Sequence, residues 1–263
     1  MDNLDQVQEE YSEDFCSLLE EAYGEGFLSE GGIEAIDNSV KGFQLDNKKI
    51  LDIGSGLGGA AIHFAQKYKA LATGVEINQG MVDEANRRVP EKLTGQVKFL
   101  YYDDISHLPF SDESFHLVYS KEVFLHLDVE DKLTLFKEVH RVLKDDGYFI
   151  IVDWLSPLKD QWGDKLKEMM ILDGITLFAN TQEDYMDVLH QSGFKIASID
   201  EESERYVQYN EDIINHLKRD DIQNKLKGKF SDKEIQDNIH AYSLLSDSLK
   251  EKELFIRRIV AKK

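Results

Sequence analysis

The densest chemical signal in the chain is LDIGSGLGG at 51–59. Here the segment KKILDI (48–53) runs into a glycine-rich turn. Gly54, Gly56 and Gly59 have the G-x-G-x-x-G spacing, which lets backbone approach a bound nucleotide closely where a strand ends and a helix begins. The same spacing also occurs in tight strand-to-helix turns that bind nothing. The glycines alone are therefore weak evidence for a ligand.

Two carboxylates, one just before the glycines and one at the end of the next apolar run, restrict which ligand the turn could bind. Asp52 lies two residues before Gly54, where it would repel a pyrophosphate but accept a hydrogen bond from an ammonium group, directly or through water. Glu76 ends the next apolar run, in GVEIN, at a position that suits a carboxylate accepting both hydroxyls of a ribose. An adenosine with a cationic amino-acid tail satisfies both groups, and S-adenosylmethionine (SAM) is such a molecule.

The elements around these residues alternate between short apolar runs and amphipathic segments. This alternation is typical of right-handed βαβ units, which build a buried parallel sheet. Strands are predicted at 48–55, 71–77, 97–103, 115–121 and 147–154, with helices at 58–68, 79–89 and 129–144. The pattern also predicts a helical N-terminal stretch, helices near 160–173 and 181–192, a strand at 194–200, charged helical residues at 205–250 and a last strand at 253–263.

Composition argues against several classes of function. The chain has 31 basic and 51 acidic residues, a net charge of −20, which is the wrong sign for a surface that tracks nucleic acid. No apolar run approaches the ~18 residues that a membrane span needs, and the N-terminus lacks the pattern of a signal peptide. Cys16 is the only cysteine and the histidines have no metal-ligand spacing, so no disulfide and no metal site are predicted. A single cytoplasmic domain is the default expectation.

The acidic charge is concentrated at the N-terminus. Residues 1–40 hold 12 acidic residues, and the first basic residue is Lys41. Such a stretch is either a solvated helix face or a segment that lies over a site and prefers a cationic or neutral ligand.

With YDDI at 102–105 and YSKEVFLHL at 119–127, these motifs resemble the class I SAM-dependent methyltransferases. The resemblance covers about Lys48 to Trp154 and depends on the motifs occurring together in the right order. It implies an α/β, Rossmann-like fold, a seven-stranded and mostly parallel sheet with helices on both faces, a helical lid and an antiparallel last strand. SAM is the implied cofactor and S-adenosylhomocysteine the implied product. The implied cofactor contacts are Asp52, Gly54, Ser55, Gly56, Glu76, Ile77, Asp104 and Ile105.

The predicted organisation is one methyltransferase domain over 1–263. Its parts are an N-terminal helical lid at 1–40, a SAM-binding core at 45–155, substrate-side helices and lid with one strand at 156–250, and the final strand at 253–263.

A closer resemblance includes the N-terminal motifs EYSEDF and YGEGFLSEGGIEA. With the motifs above they are similar to the phosphoethanolamine N-methyltransferases and, next to these, to the sarcosine/dimethylglycine methyltransferases. In the phosphoethanolamine enzymes a tyrosine of the N-terminal helix lies over the site and pairs with a histidine after the fourth strand. Tyr11 and His126 match those two places, Glu122 matches an Asp near the reacting amine, and Ser29 matches a cofactor-contacting serine.

Those roles suit methyl transfer to nitrogen. An alkyl ammonium is mostly protonated near neutral pH, so the attacking nitrogen has to lose a proton and be aligned with the methyl group. A neutral His126 could accept that proton, directly or through a water, while Tyr11 orients the ring. Glu122 and His126 are spaced i,i+4 and share one face if the segment is helical.

The sequence departs from the phosphoethanolamine enzymes where they hold the phosphate. There the family has Tyr and Arg on the helix after the fifth strand, and a Lys near the C-terminus. Met169, Asp173 and Ile175 stand at the former places and Leu244 near the latter. Because anion-binding residues are replaced by apolar or acidic ones, a small amine or an amino-acid derivative is as plausible an acceptor as a phosphobase.

Two residues are candidates to contact the acceptor. Trp154, just past the fifth strand, could line the pocket by a cation–π contact with a methylated ammonium product, or could simply pack in the core. Met169 is the second candidate, from its place in the resemblance.

The predicted function is SAM-dependent N-methyl transfer to a small polar amine, either phosphoethanolamine-like or glycine/sarcosine/dimethylglycine-like. The main alternative is a SAM-dependent O- or C-methyltransferase of a small apolar metabolite, for which FLHL, MMIL and ITLF would suit an apolar lid. A non-catalytic protein of the same fold that binds a partner is a further alternative. An NAD-dependent oxidoreductase is disfavoured because Asp52 would face a pyrophosphate. A homodimer is left open, and neither nucleic acid nor a membrane is an expected partner.

Overall fold

A single mixed sheet organises the chain, seen in a computed structural model that describes residues 2–263, with side chains described from residue 6 onward. The strands of this part of the chain are β1 (Lys49–Ile53), β2 (Leu71–Glu76), β3 (Val97–Tyr101), β4 (Phe115–Lys121), β5 (Leu143–Leu155), β6 (Lys195–Glu201) and β7 (Phe255–Lys262). Their order in the sheet is β3-β2-β1-β4-β5-β7-β6. Strands β1 to β5 pair in parallel, whereas β7 lies antiparallel between β5 and β6. The predicted fold class is confirmed.

Helices cover both faces of this sheet. Those before β4 are α1 (Asp2–Glu10), α2 (Glu13–Tyr23), α3 (Gly32–Ser39), α4 (Gly59–Tyr68) and α5 (Gln79–Arg88). Those after it are α6 (Val129–Val142), α7 (Asp164–Asp173), α8 (Gln182–Gln191), α9 (Ser203–Leu217), α10 (Asp220–Leu226) and α11 (Asp232–Lys250). Short 3₁₀ helices span Glu91–Leu93 and Phe124–His126.

The central strands are apolar on both faces, as their continuous hydrophobic runs predict. Neighbouring residues of one strand enter different core clusters. Leu51 and Phe149 pack with α6 and α8 on one face, while Ile50 and Ile150 pack with α4 and α5 on the other. All four side chains are fully buried. The sheet is therefore a rigid support, and the loops at the carboxyl ends of its strands are free to form a site.

The N-terminal stretch is divided differently from the prediction of one helical stretch. Helix α1 ends at Glu10, and Ser12 begins α2 by accepting a hydrogen bond from Phe15 N at 3.2 Å, as an N-cap does. The break sets Tyr11 between two helices. The sequence pattern also missed α3, which begins at Gly32, the second glycine of the FLSEGG loop.

The acidic N-terminal segment is held by the C-terminal helices. Leu18 of α2 packs with Ile213 and Ile239, and Glu21 forms an ion pair with Lys225 at 2.5 Å. Part of the acidic run is therefore neither a purely solvated face nor a face turned to a ligand. The division into lid, core and substrate-side parts remains a prediction. No helix described over 2–263 combines the length and the apolar character that crossing a membrane requires.

Candidate active site

The glycine turn follows β1 and is shaped by close backbone contacts. Gly54 N and Ser55 N both donate to the Val75 carbonyl, at 3.0 and 3.1 Å, which bends the chain away from the sheet. Gly54 has φ +68°, and a Cβ there would overlap the Val123 side chain. Only glycine satisfies both conditions without strain. The turn thus presents bare backbone towards the cleft above β1 and β4.

Glu76 ties the glycine turn to the loop after β2. It is buried, and its Oε2 accepts from Gly56 N at 2.9 Å. Its Oε1 accepts from Ile77 N at 2.8 Å and Asn78 N at 3.1 Å. Burial raises the pKa of Glu76 against the opposing effect of these three hydrogen bonds. A carboxylate oxygen accepts more than one hydrogen bond, so Oε2 retains capacity for a ligand hydroxyl.

Asp52 and Ser55 carry polar atoms that the protein leaves unused. Within the described residues, Asp52 Oδ2 and Ser55 Oγ are buried without a hydrogen-bond partner. Burial and the neighbouring Glu76 charge raise the pKa of Asp52 to about 8. An unsatisfied buried acceptor is costly, so these atoms fit a ligand that brings cationic or hydroxyl donors. SAM carries both kinds of group, and the residues present are suited to hold it.

A cleft of about 1200 Å³, including the solvent at its mouth, lies over these groups. It is lined by every predicted cofactor contact except one, namely Ser29, Asp52, Gly54, Ser55, Gly56, Glu76, Ile77 and Ile105. Asp104 does not line it. The exposed Asp104 carboxylate instead accepts from Ser106 N at 2.9 Å and Ser106 Oγ at 2.5 Å, closing a local turn. A cofactor contact by Asp104 stays a prediction, and in this arrangement its carboxylate is engaged in the turn.

Tyr11 and His126 meet across the cleft. Tyr11 Oη lies 3.2 Å from His126 Nε2, and the two rings pack edge to face at 5.7 Å. Burial lowers the pKa of His126 to about 4, although a backbone hydrogen bond at Thr176 opposes that shift. Burial and then the Glu122 charge raise the pKa of Tyr11. Near neutral pH the pair is therefore an uncharged phenol and an uncharged imidazole.

The turn that carries His126 is braced from two sides. His126 ends the 3₁₀ helix Phe124–His126. Phe178 N donates to the Leu125 carbonyl at 2.8 Å, and the buried Lys132 ammonium donates to the Leu127 carbonyl. These contacts fix the imidazole at the inner wall of the cleft.

Glu122 lines the same cleft as His126, but its backbone conformation differs from the predicted helix. The segment is not an α-helix at Glu122, which has φ +56° and precedes the 3₁₀ helix. A face shared with His126 at i,i+4 requires a helical segment, and that condition is not met. Glu122 N donates to the Val152 carbonyl at 2.8 Å, which continues the sheet pairing by one residue, and its carboxylate forms a buried ion pair with Lys121. Glu122 and His126 nevertheless line the same cavities.

Sequence reasoning missed Glu30. This residue of the FLSEGG loop is 1% exposed, and its carboxyl lies close to that of Glu122. Burial and the Glu122 charge raise the pKa of Glu30 well above its ordinary value, which favours the neutral, protonated form of this carboxyl. The sequence feature that could have indicated it is an acidic residue inside a glycine-rich loop. Glu30 is one of 12 acidic residues in 1–40, so its position alone did not distinguish it from the others.

A second cavity, of about 530 Å³ including open solvent, adjoins the first. Tyr11, Glu122 and His126 line both cavities, so they form the corner at which the two meet. Trp154 and Met169 line the second cavity, as do Asp173 and Ile175. Leu244 is buried in the core cluster between α7, α9 and α11 and is not among its lining residues.

We expect Asp52→Asn to raise the melting temperature of the ligand-free protein at pH 8 while weakening SAM binding by about tenfold. The folded-state pKa of Asp52, about 8, lies above its unfolded value. The protonated form therefore stabilises the folded state at low pH, and this contribution is lost as pH rises towards 8. Asparagine removes the loss and also removes an anionic partner for the ligand's ammonium group.

Thermal unfolding from pH 5 to 8 and calorimetry with SAM check both parts. Asp46→Asn, an exposed carboxylate shortly before β1, is the matched control and should change neither quantity. Unchanged SAM affinity in Asp52→Asn would contradict the assigned role.

Comparisons with known proteins agree with this geometry. A family profile described as a methyltransferase domain matches residues 50–147. Phosphoethanolamine N-methyltransferase of Plasmodium falciparum (isolate 3D7) is 35% identical over 188 residues, covering 71% of this chain and 68% of that enzyme. This chain belongs to the phosphoethanolamine N-methyltransferase family. Phosphoethanolamine N-methyltransferase 1 of Arabidopsis thaliana is 28% identical over 207 residues, and the match spans only 40% of that longer enzyme.

Solved structures share the fold over nearly the whole chain. Phosphoethanolamine N-methyltransferase 2 of Haemonchus contortus, in complex with phosphomonomethylethanolamine and S-adenosylhomocysteine, superposes with a TM-score of 0.85 at 21% identity. That match covers 100% of this chain and 59% of the other. A Galdieria sulphuraria protein assigned as a sarcosine dimethylglycine methyltransferase has a TM-score of 0.76 at 16% identity, covering 95% of this chain and 97% of that one.

Family membership confirms the predicted SAM-dependent methyltransferase and its cofactor. N-methyl transfer to a small amine, the predicted type of reaction, agrees with the names of these relatives. The roles of individual residues, the cytoplasmic location and a homodimer remain predictions.

Proposed function

We propose that this methyltransferase binds its amine acceptor in the second cavity and methylates it at the corner formed by Tyr11, Glu122 and His126. One observation carries the proposal, namely that these three residues line both the cofactor cleft and the adjoining cavity. A donor in one cavity and an acceptor in the other would meet there. A direct displacement depends chiefly on such alignment.

The cofactor side is formed by the loops after β1 and β2. The glycine turn would take the amino-acid part of SAM, with Asp52 facing its ammonium group and Glu76 facing the ribose hydroxyls. Ser29 closes the cleft from the N-terminal segment, and Ile77 contributes an apolar wall. When bound, SAM supplies a methyl group on a sulfonium centre.

The acceptor side handles charge and protons. An alkyl ammonium entering the corner would face the Glu122 carboxylate, which is paired with the Lys121 ammonium and can accept a further hydrogen bond from the amine. His126 is neutral because burial lowers its pKa to about 4, so its ring can accept the proton that the amine has to lose. Tyr11 holds the imidazole by the 3.2 Å contact. The freed lone pair of the amine is then positioned for attack.

Water is restricted by the N-terminal helices. Val7, Gln8 and Tyr11 line the cofactor cleft, and Gln6 Nε2 donates to Thr176 Oγ1 at 2.8 Å. Helix α1 thus bridges the cleft to the loop after α7. Because exclusion of water strengthens the electrostatic contacts inside, this cover supports the proposed reaction.

A labelled-transfer experiment tests the proposal. SAM with an isotopically labelled methyl group is incubated with the protein and with ethanolamine, phosphoethanolamine, glycine, sarcosine, dimethylglycine, short diamines, and aromatic and phenolic acceptors. We expect label on nitrogen of at least one small amine, detected by mass spectrometry. Label only on oxygen or carbon of apolar acceptors would replace the proposal by the O- or C-methyltransferase alternative. SAM binding without transfer to any amine would also contradict it.

A further inference from the structure

Glu30, in the loop between α2 and α3, is buried without a partner of its own. Its residue is 1% exposed, and both of its carboxyl oxygens lack a hydrogen-bond partner among the described residues. The buried Lys121 ammonium forms its ion pair with Glu122 and not with Glu30. Because an unpaired buried acceptor is costly, this carboxyl fits a ligand that brings donors and positive charge.

The Glu30 carboxyl lies where the proposed reaction needs the nitrogen of the acceptor. Glu30 lines the second cavity, and its carboxyl lies close to that of Glu122. Glu122 lines both cavities and so belongs to the corner at which they meet, whereas Glu30 lines the second cavity and not the cofactor cleft. The Glu30 carboxyl is therefore beside the reacting corner, on the acceptor's side of it.

The charges around Glu30 favour a cation. The ionisable groups that act on it or feel its charge are Lys121 and Glu122 at the end of β4, Tyr23 of α2, Tyr206 of α9 and Tyr242 of α11. Lys121 is the one cation of this set, and it is paired with Glu122. Burial and the Glu122 charge raise the pKa of Glu30, whereas an ammonium group beside the carboxyl would lower it and favour the carboxylate.

We propose that Glu30 binds the ammonium group of the acceptor, so that the acceptor enters the second cavity as a cation and is selected by the charge on its nitrogen. This inference rests on the proposed function, which places the reacting nitrogen at the corner. Because Glu122 is paired with Lys121, Glu30 is the carboxyl of the two whose charge is left for a ligand.

The ammonium group first pairs with Glu30. One of its protons then passes to the neutral His126 imidazole, and the lone pair that this frees attacks the methyl group of SAM. Selection by charge favours amines over molecules of the same shape that carry carbon in place of the nitrogen. The inference concerns the amine end of the acceptor and does not depend on whether the tail is neutral, phosphorylated or carboxylated.

The test compares amines with isosteres in which a methyl group replaces the ammonium group. Ethanolamine and 1-propanol, phosphoethanolamine and propyl phosphate, and glycine and propionate form three such pairs, with a neutral, a phosphate and a carboxylate tail. Calorimetry with S-adenosylhomocysteine present measures binding without turnover. Glu30→Gln keeps the shape of the side chain and removes its charge, and Glu25→Gln, an exposed glutamate of the same loop, is the matched control.

We expect the wild type to bind the amine of at least one pair more tightly than its isostere, and Glu30→Gln to reduce that preference by at least about tenfold. Affinity for the isostere should stay unchanged, a separation that a purely structural role of Glu30 would not produce. Thermal unfolding should show no loss of stability in Glu30→Gln, because its carboxyl oxygens have no described partner to lose. Glu30→Asp keeps the charge and should retain part of the preference, and Glu25→Gln should behave as the wild type.

Three outcomes would overturn the inference, namely equal losses for both members of a pair in Glu30→Gln, an unchanged preference in that variant, or no preference in the wild type for any pair. Transfer of labelled methyl to nitrogen alongside any of these would leave the proposed function intact. A preference for the amine that depends on Glu30, without transfer of label to any amine, would support the inference and overturn the proposed function.

Discussion

His126→Ala is expected to lower turnover by about 10²- to 10⁴-fold and to leave SAM affinity nearly unchanged. In the proposed mechanism the neutral imidazole at the corner of the two cavities accepts the proton of the amine, and alanine removes that acceptor. The proposed SAM contacts, the glycine turn, Asp52 and Glu76, belong to the loops after β1 and β2 and are unchanged in this variant. Single-turnover kinetics with a saturating amine, together with SAM calorimetry, measure the two quantities separately.

Tyr11→Phe is the companion variant for this prediction. Phenylalanine keeps the ring that packs edge to face against His126 but removes the hydroxyl at 3.2 Å. We expect a smaller loss of turnover than in His126→Ala, because the imidazole stays while its orientation loosens. Both roles would have to be abandoned if His126→Ala turned over like the wild type.

Glu76→Ala is expected to weaken SAM binding by about 10²-fold or more. A carboxylate that accepts from two ribose hydroxyls contributes two charge-assisted hydrogen bonds, and each is stronger than a neutral one. The change also leaves Gly56 N, Ile77 N and Asn78 N without their present acceptor, so the glycine turn loses its brace. Calorimetry with SAM measures the affinity, and thermal unfolding measures the loss of stability.

Glu76→Gln separates these two effects. Glutamine keeps one acceptor oxygen for the backbone N–H groups but loses the charge, so it should retain more stability than alanine while SAM binding stays weakened. Asp83→Ala, an exposed carboxylate on α5, is the control and should bind SAM normally. Wild-type affinity in Glu76→Ala would show that this carboxylate does not hold the cofactor.

The cofactor side of the site could be predicted from the sequence because its determinants are local. The βαβ alternation identifies parallel strands, and parallel strands bring their carboxyl ends to one edge. Asp52, the glycine turn and Glu76 each stand at such an end, so their convergence follows from the order of the elements alone. Asp104 also follows a strand, yet its side chain bonds to Ser106 two residues later. An aspartate in a loop can either contact a ligand or accept a hydrogen bond from the backbone two residues later, and the strand pattern does not distinguish these two cases.

The acceptor side depended on contacts between distant segments. The pairing of Tyr11 with His126 spans 115 residues, and the resemblance to known enzymes, rather than spacing, indicated it. Glu122 and His126 would share a helical face only in a helical segment, and the segment is not helical because the Glu122 backbone takes a left-handed conformation where β4 ends. Hydrophobic periodicity predicts regular helices and strands, and it cannot predict a single non-glycine residue with positive φ such as Glu122.

The sequence by itself determined the class of fold and the succession of strands and helices along the chain, because these depend on hydrophobic period. It also placed the predicted cofactor contacts at the ends of parallel strands, whereas the order of the strands in the sheet came from the structure. Only the tertiary structure decided which acidic residues line the second cavity. Glu20 and Glu21 are neutralised by Arg88 and Lys225, whereas Glu30 is buried against Glu122 and Asp173 faces a cavity without a cationic partner. In the sequence all of these are similar carboxylates. Their charge, desolvation and partners are set by packing between segments far apart in the chain, and those quantities decide what the site can bind.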